Sequence, residues 1–277
     1  MRIRTIVMLA LFVAAGLAGA KNFDDWMMVS KKTTSASTYW HSPFENYYAA
    51  AYLGTTNADG TLKDYSVNGR DATNNNNVSI VPVSTDTLGR VTYVSKFGGS
   101  QYWKIPGTNW LDRSFSPTIT AVTFVCWIMV TQHVDYAGII SMRFNGTGLY
   151  VVGLNDYTTA TNGLQGACWI TVNPWYSYVN TDYCPTSNTW HYFAIQITQS
   201  NYPTLFLDGN NIHYGSRLAG SFTQNRYVYL GYDEGVSSRT WKGYEGLPRI
   251  FTNAVFTPAD FTNDMNHSHP LTNTLYR

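Results

Sequence analysis

The chain has 277 residues, with 18 basic against 17 acidic side chains, and charged residues make up 13% of it while Phe, Trp and Tyr make up 16%. Soluble domains ordinarily carry about a quarter charged residues, and a near-neutral chain lacks the basic excess that phosphate backbones require, so nucleic acid is excluded as a partner. Thr, Ser, Asn and Tyr must fill the solvent-facing positions instead, a surface suited to sugars or to sheet-to-sheet contact.

Arg2 and Arg4 precede an uncharged run from Ile6 to Leu17 and the small-x-small end Ala18-Gly19-Ala20. This is the pattern of a signal peptide over residues 1–20, and it predicts a secreted, extracellular protein. The run is short for a bilayer core of about 30 Å, and no second one follows, so neither a transmembrane segment nor a lipid anchor is expected. Losing Arg2 and Arg4 with the leader would take the basic count from 18 to 16 against 17 acidic residues. Residues 21–46 set the polar stretch Lys31 to Thr38 between Trp26-Met27-Met28 and Trp40. They read as an extended N-terminal arm whose apolar ends suit docking on the domain or on a neighbouring molecule.

Asn77-Val-Ser79, Asn145-Gly-Thr147 and Asn266-His-Ser268 are N-glycosylation sequons, meaningful on a secretory route. Of the three cysteines, Cys126 sits in the apolar run Phe124 to Met129 and reads as a small buried hydrophobe. That leaves Cys168 and Cys184 as the expected disulfide, closing a loop of a length worth about 3 kcal/mol in the chain-entropy model. An intermolecular bond through Cys126 is the alternative.

From Val78 to Phe256 turn signals recur between β-branched and aromatic runs, with no helical period, which predicts an all-β, two-sheet antiparallel sandwich. His191, Phe193, Ile195 and Ile197 alternate with Tyr192, Ala194, Gln196 and Thr198, the period of a strand with two different faces. Thr204 to Leu207 is a second short strand, and Asp208-Gly209 supplies the positive φ of a tight hairpin leading into Ile212-His-Tyr214. Only Pro258 to Met265 reads as helix, with Thr257 as N-cap, Pro258 at the first position and Asp260 in the first turn.

The order Trp190-His191, Leu205-Phe-Leu-Asp-Gly209, Leu230-Gly231, Trp241-Lys-Gly243 and Arg249-Ile-Phe251 resembles the C-terminal half of a laminin-G-like, or concanavalin A-like, jelly-roll domain. Ala51-Tyr52-Leu53, Asp64 to Gly69 with Asp71, Phe97-Gly-Gly-Ser100, Tyr102 to Pro106 and Thr123 to Trp127 fall in the order of its N-terminal half. The resemblance covers residues 47–262, leaving 263–277 as a C-terminal tail, loosely held from His267 to Arg277. It implies a jelly roll whose members bind glycans, matrix proteins or cell surfaces, or serve as scaffold. One departure stands out. Many relatives carry an acid before the final Arg-Ile-Tyr strand, but this chain has Gly246 there, and Glu245, one position away, would point to the opposite face.

Asp64, Ser66, Asn68 and Asp71 place oxygens at alternate positions with a glycine at the sixth, as in a loop that wraps a hard cation such as calcium. The same oxygens equally serve to satisfy backbone donors in a turn. No paired-carboxylate string of a glycoside hydrolase exists among Glu45, Glu234 and Glu245, and the six histidines are scattered, so an enzyme is not expected. The aromatic segment Cys168 to Cys184 is the strongest binding candidate. Trp169, Trp175, Tyr176, Tyr178 and Tyr183 offer flat apolar faces, and Asn180 adds directional hydrogen bonds, although alternate aromatics there equally suit a core. The expected function is a secreted, non-catalytic recognition or adhesion domain for carbohydrate or glycoprotein. The alternative is a structural subunit of an extracellular fibre, coat or matrix, self-associating through residues 21–46 and aromatic sheet faces.

Overall fold

A computed structural model describes residues 44–85, 91–106, 121–132, 134, 137–144, 147–155, 163–168, 177–180, 185–198, 204–214, 227–232 and 241–271. In chain order the strands are β1 (Tyr48–Thr56), β2 (Leu62–Asp64), β3 (Thr73–Asn75), β4 (Ser79–Thr85), β5 (Val91–Gly98), β6 (Tyr102–Ile105), β7 (Ala121–Val130) and β8 (Ala137–Phe144). They continue with β9 (Thr147–Asn155), β10 (Gly163–Cys168), β11 (Ser177–Asn180), β12 (Trp190–Thr198), β13 (Thr204–Leu207), β14 (Asn210–Tyr214), β15 (Val228–Leu230) and β16 (Lys242–Thr252), then helix α1 (Pro258–Ser268).

These strands build two antiparallel sheets, the sandwich that the alternation predicts. The first runs β14-β13-β12-β7-β16-β1-β2, with β5 also on β16 and β4 on β5; the second runs β11-β10-β9-β8-β15-β6-β3. Phe124, Cys126, Ile128 and Val130 of β7 join Phe193 and Ile195 of β12 and Trp103 and Ile105 of β6 in the core between the sheets. On the outer side of the first sheet, Val125, Trp127, Tyr192, Ala194 and Phe206 form a second apolar layer with Phe251, Phe256 and Phe261. The two faces of β12 that the alternation distinguishes are thus both covered, one by the core between the sheets and one by this outer layer. Cys126 is a free thiol, wholly buried, which removes it from intermolecular bonding.

The Asp208-Gly209 hairpin has positive φ at both residues, 52° and 78°, the backbone of a two-residue turn that matches strand twist. Asp208 does more than turn the chain. Its Oδ1 accepts from Tyr192 N at 2.9 Å and its Oδ2 lies 2.8 Å from His191 Nδ1, so the Trp-His and Asp-Gly motifs clip the hairpin onto β12.

Strand β16 pairs with β5 through Glu245 and with β1 from Arg249 onward. The change of neighbour falls at a bulge in the pairing with β7 between Gly246 and Arg249, where Leu247 adopts φ 52°. Pro248, without an N–H to donate, is suited to that gap. Glu245 stands opposite Ile128 and faces the core, whereas a Cβ on Gly246 would meet Trp127 and Pro270 on the other side. The acid next to the glycine therefore does point to the opposite face.

Helix α1 opens with a capping box, Thr257 accepting from Asp260 N and Asp260 accepting from Thr257 N. It runs three residues beyond Met265, and Asp264, Ser268 and Pro270 are buried, so residues 263–270 belong to the folded body and not to a loose tail. At the other end Phe44 packs on Phe256 with ring centroids 4.0 Å apart, so the last residues of the expected arm are part of the domain. The leader and residues 21–43 lie outside the described residues.

Candidate functional site: a tyrosine platform on the second sheet

Tyr102-Trp-Lys-Ile105 alternates cleanly, so Trp103 and Ile105 enter the core while Tyr102 and Lys104 stand on the outer face. Trp103 is fixed in the core by its indole N–H donating to Ser95 Oγ at 2.8 Å. The neighbouring β15 repeats the pattern: Val228 and Leu230 go inward, and Tyr229 lies opposite Lys104 and Ser141. Tyr227 and Tyr229 are two positions apart and share the outer face. Gly231 then takes φ 80°, and a Cβ there would stand 2.4 Å from the Phe97 ring. Only glycine fits, and the turn it makes brings Tyr232 back over Tyr102.

The rings form one contiguous group. Tyr102 and Tyr232 stack at 4.6 Å and 16°, and Tyr229 meets each edge-on at 5.7 and 5.9 Å. Tyr227 lies 6.4 Å from Tyr229 and is 46% exposed, and Lys104 Nζ sits 3.6 Å from the Tyr227 centroid, a cation–π contact. Tyr229 is buried beneath the others, so the faces on offer to sugar C–H groups are those of the exposed Tyr227 and the half-buried Tyr102 and Tyr232, with hydroxyls at their rims and one ammonium donor.

The turn from Asp64 to Asp71 brings Asp64, Ser66 and Asp71 together. Asp64 Oδ1 accepts from Ala51 N and Ser66 N, each at 2.8 Å, and its Oδ2 accepts from Ser66 Oγ at 2.8 Å and Arg70 N at 2.7 Å. Asp71 Oδ1 accepts from Asp64 N, and Asp71 Oδ2 accepts from Asn57 Nδ2. Asn68 turns away, donating to Tyr48 O and Ala49 O. These oxygens tie β1 to the turn. Asp64→Ala is expected to cost about 1–3 kcal/mol through the orphaned amides, by the same amount in excess calcium and in chelator. A calcium-dependent difference in unfolding midpoint would instead assign the loop to the cation. Among the described residues no group of three or more His, Cys, Asp or Glu is placed to hold a metal ion.

Trp169, Trp175, Tyr176, Tyr183 and Cys184 lie outside the described residues, as does Asn145. Tyr178 pairs in register with Gly166 and Asn180 with Leu164, on β11 at the edge of the second sheet, and Cys168 ends β10. Asn77 and Asn266 are both exposed. No helix among the described residues is long and apolar enough to cross a membrane. The platform escaped the sequence reading because its halves are far apart in the chain, although Tyr227 and Tyr229 at alternate positions were a visible signal.

The sequence matches no protein-family model and no curated protein. Solved structures do share the fold. Domain 4 of AbnA, a GH43 extracellular arabinanase from Geobacillus stearothermophilus, seen with arabinotriose, aligns with TM-score 0.57 and 16% identity over 78% of this chain and 97% of that one. The ganglioside-dependent botulinum neurotoxin type C aligns with TM-score 0.60 and 12% identity, over 82% of this chain and 52% of that one. The binding domain of Paraclostridial Mosquitocidal Protein 1 gives TM-score 0.58 and 12% identity, over 80% and 52%. This chain thus spans nearly all of the arabinanase domain and about half of the toxin chains. At such identities the likeness establishes the β-sandwich fold alone.

Proposed function

We propose that this protein is a non-catalytic recognition domain that binds carbohydrate, free or on a glycoprotein, through the outer face of its second sheet. The observation that carries this reading is the stacked Tyr102–Tyr232 pair with Tyr227, Tyr229 and Lys104 around it. Two neighbours lend support by what they bind: one was solved with arabinotriose, and another depends on two ganglioside molecules for cell entry. Glu245, one of three glutamates, is sealed in the core and cannot meet a polysaccharide, which favours binding over hydrolysis. The laminin-G-like reading of the motifs and an extracellular setting, implied by the expected leader and sequons, belong to the same proposal.

A glycan array followed by calorimetry on the best-bound sugar tests it. Tyr102→Ala and Tyr232→Ala are each expected to lower affinity about tenfold, or 1.4 kcal/mol, with the fold retained. Full binding in both variants, or turnover of the sugar, would contradict the proposal.

A further inference from the structure

The first sheet carries a second row of the same chemistry on its own outer face. Ser79 pairs with Lys96, Lys96 with Tyr244, Tyr244 with Met129 and Met129 with Trp190, one continuous line across five strands. At about 4.8 Å between strands it is roughly 19 Å long. In the next outer row Trp127 and Tyr192 are buried, bonded to Ser268 and Asp264 of α1, so the cover of the helix reaches that row. In the line itself Trp190, Met129 and Tyr244 are only half-buried, and Lys96 and Ser79 are exposed. The Trp190 and Tyr244 rings lie 6.3 Å apart, and Lys96 Nζ is 5.9 Å from the Tyr244 centroid.

Both surfaces therefore set aromatic faces in line with a lysine beside a tyrosine. The ion pairs among the described residues, His191 with Asp208 and Arg249 with Asp264, include neither Lys96 nor Lys104. No acidic residue stands in the five-residue line, and Lys242 lies one outer position further along β16, donating to Gln132. The unmet charge complements an anionic occupant. The faces look outward from sheets that pack about 10 Å apart, so one short oligosaccharide cannot cover both.

We infer that the line from Ser79 to Trp190 is a second glycan platform, that it takes acidic oligosaccharides, and that the two opposed platforms make the domain a bivalent binder able to cross-link acidic polysaccharide. This rests on the first platform being a sugar site. Calorimetry with trigalacturonate and with its methyl ester, and turbidity with polygalacturonate, test it on the full chain. Two equivalents of trigalacturonate should bind, with the ester at least tenfold weaker. Tyr244→Ala or the exposed Lys96→Gln should weaken one of the two equivalents about tenfold and abolish turbidity, Tyr102→Ala should do the same to the other, and Tyr102→Ala combined with Lys96→Gln should weaken both. One equivalent that Tyr102→Ala removes and Lys96→Gln spares would overturn the second platform while leaving the first. Equal binding of acid and ester would overturn the charge argument. A dimer by light scattering that Lys96→Glu dissolves would assign the face to self-association instead, and silence from both sugars would sink this inference together with its premise.

Discussion

Asp264→Ala is expected to lower stability by about 3–5 kcal/mol, the cost of leaving a buried charge without its partner. Arg249 and Asp264 have side chains 0% and 2% exposed and meet through two hydrogen bonds of 2.6 and 2.7 Å. Tyr192 adds a third contact, its hydroxyl donating to Asp264 Oδ2 at 2.7 Å. Burial works against the Arg249 charge, but the Asp264 carboxylate, Tyr48 and Tyr192 together more than offset it, and the guanidinium is held above its ordinary value. The pair fastens α1 to β16, and the apolar layer of Phe251, Phe256 and Phe261 depends on that seat. At about 2–4 °C per kcal/mol for a chain of this size, the variant should melt roughly 10 °C lower in a thermal scan. Tyr192→Phe, which spares the pair, should cost only about 1 kcal/mol. A joint Arg249→Met and Asp264→Leu replacement should recover much of the loss, since a buried ion pair often exchanges for apolar packing at little net cost. An Asp264→Ala melt within 2 °C of the wild type would show that the helix is not held this way.

The second large effect is a pH dependence centred on Glu245. Its side chain is 1% exposed, and neither carboxyl oxygen has a hydrogen-bond partner among the described residues. Burial pushes this carboxyl well above the usual range, and the Gly231 backbone nearby offsets the shift only in part. The folded state therefore holds the proton more tightly than the unfolded chain does. The stabilisation is complete below the unfolded value of about 4.3 and is lost as pH rises from there through the raised folded value. Glu245→Gln keeps the shape without the charge. Melting curves between pH 4 and pH 8 should show the wild type losing stability relative to the variant, which at pH 8 should melt several degrees higher. Curves that stay parallel across the range would mean that the carboxyl finds a partner for its charge.

The motifs that were legible are those whose cause is local. Asp208-Gly209 makes a turn because of its own φ angles, Thr257-Pro258 with Asp260 starts a helix because of its own caps, and Cys126 sits buried inside a run of apolar neighbours. Glu245 and Gly246 fall on opposite faces because a strand alternates, which spacing alone requires. What stayed hidden is non-local. Asp264 and Ser268 look like polar tail residues until Arg249 and Trp127, on other strands, are brought against them. The tyrosine platform needs β6 and β15 to be adjacent, a pairing that bridges more than half the folded domain. The aromatic segment from Cys168 to Cys184 had local signals in abundance, and its most aromatic part lies outside the described residues.

The role of the platform is tested most directly by following its own rings. With tyrosine rings labelled with carbon-13, titration with the sugar selected by the glycan array should move the signals of Tyr102, Tyr227 and Tyr232 in a saturable manner. Tyr52 and Tyr192, wholly buried in the sandwich, should stay in place. Saturable binding that shifts Tyr176, Tyr178 or Tyr183 and leaves Tyr102, Tyr227 and Tyr232 unmoved would contradict the assignment and return the site to the loop.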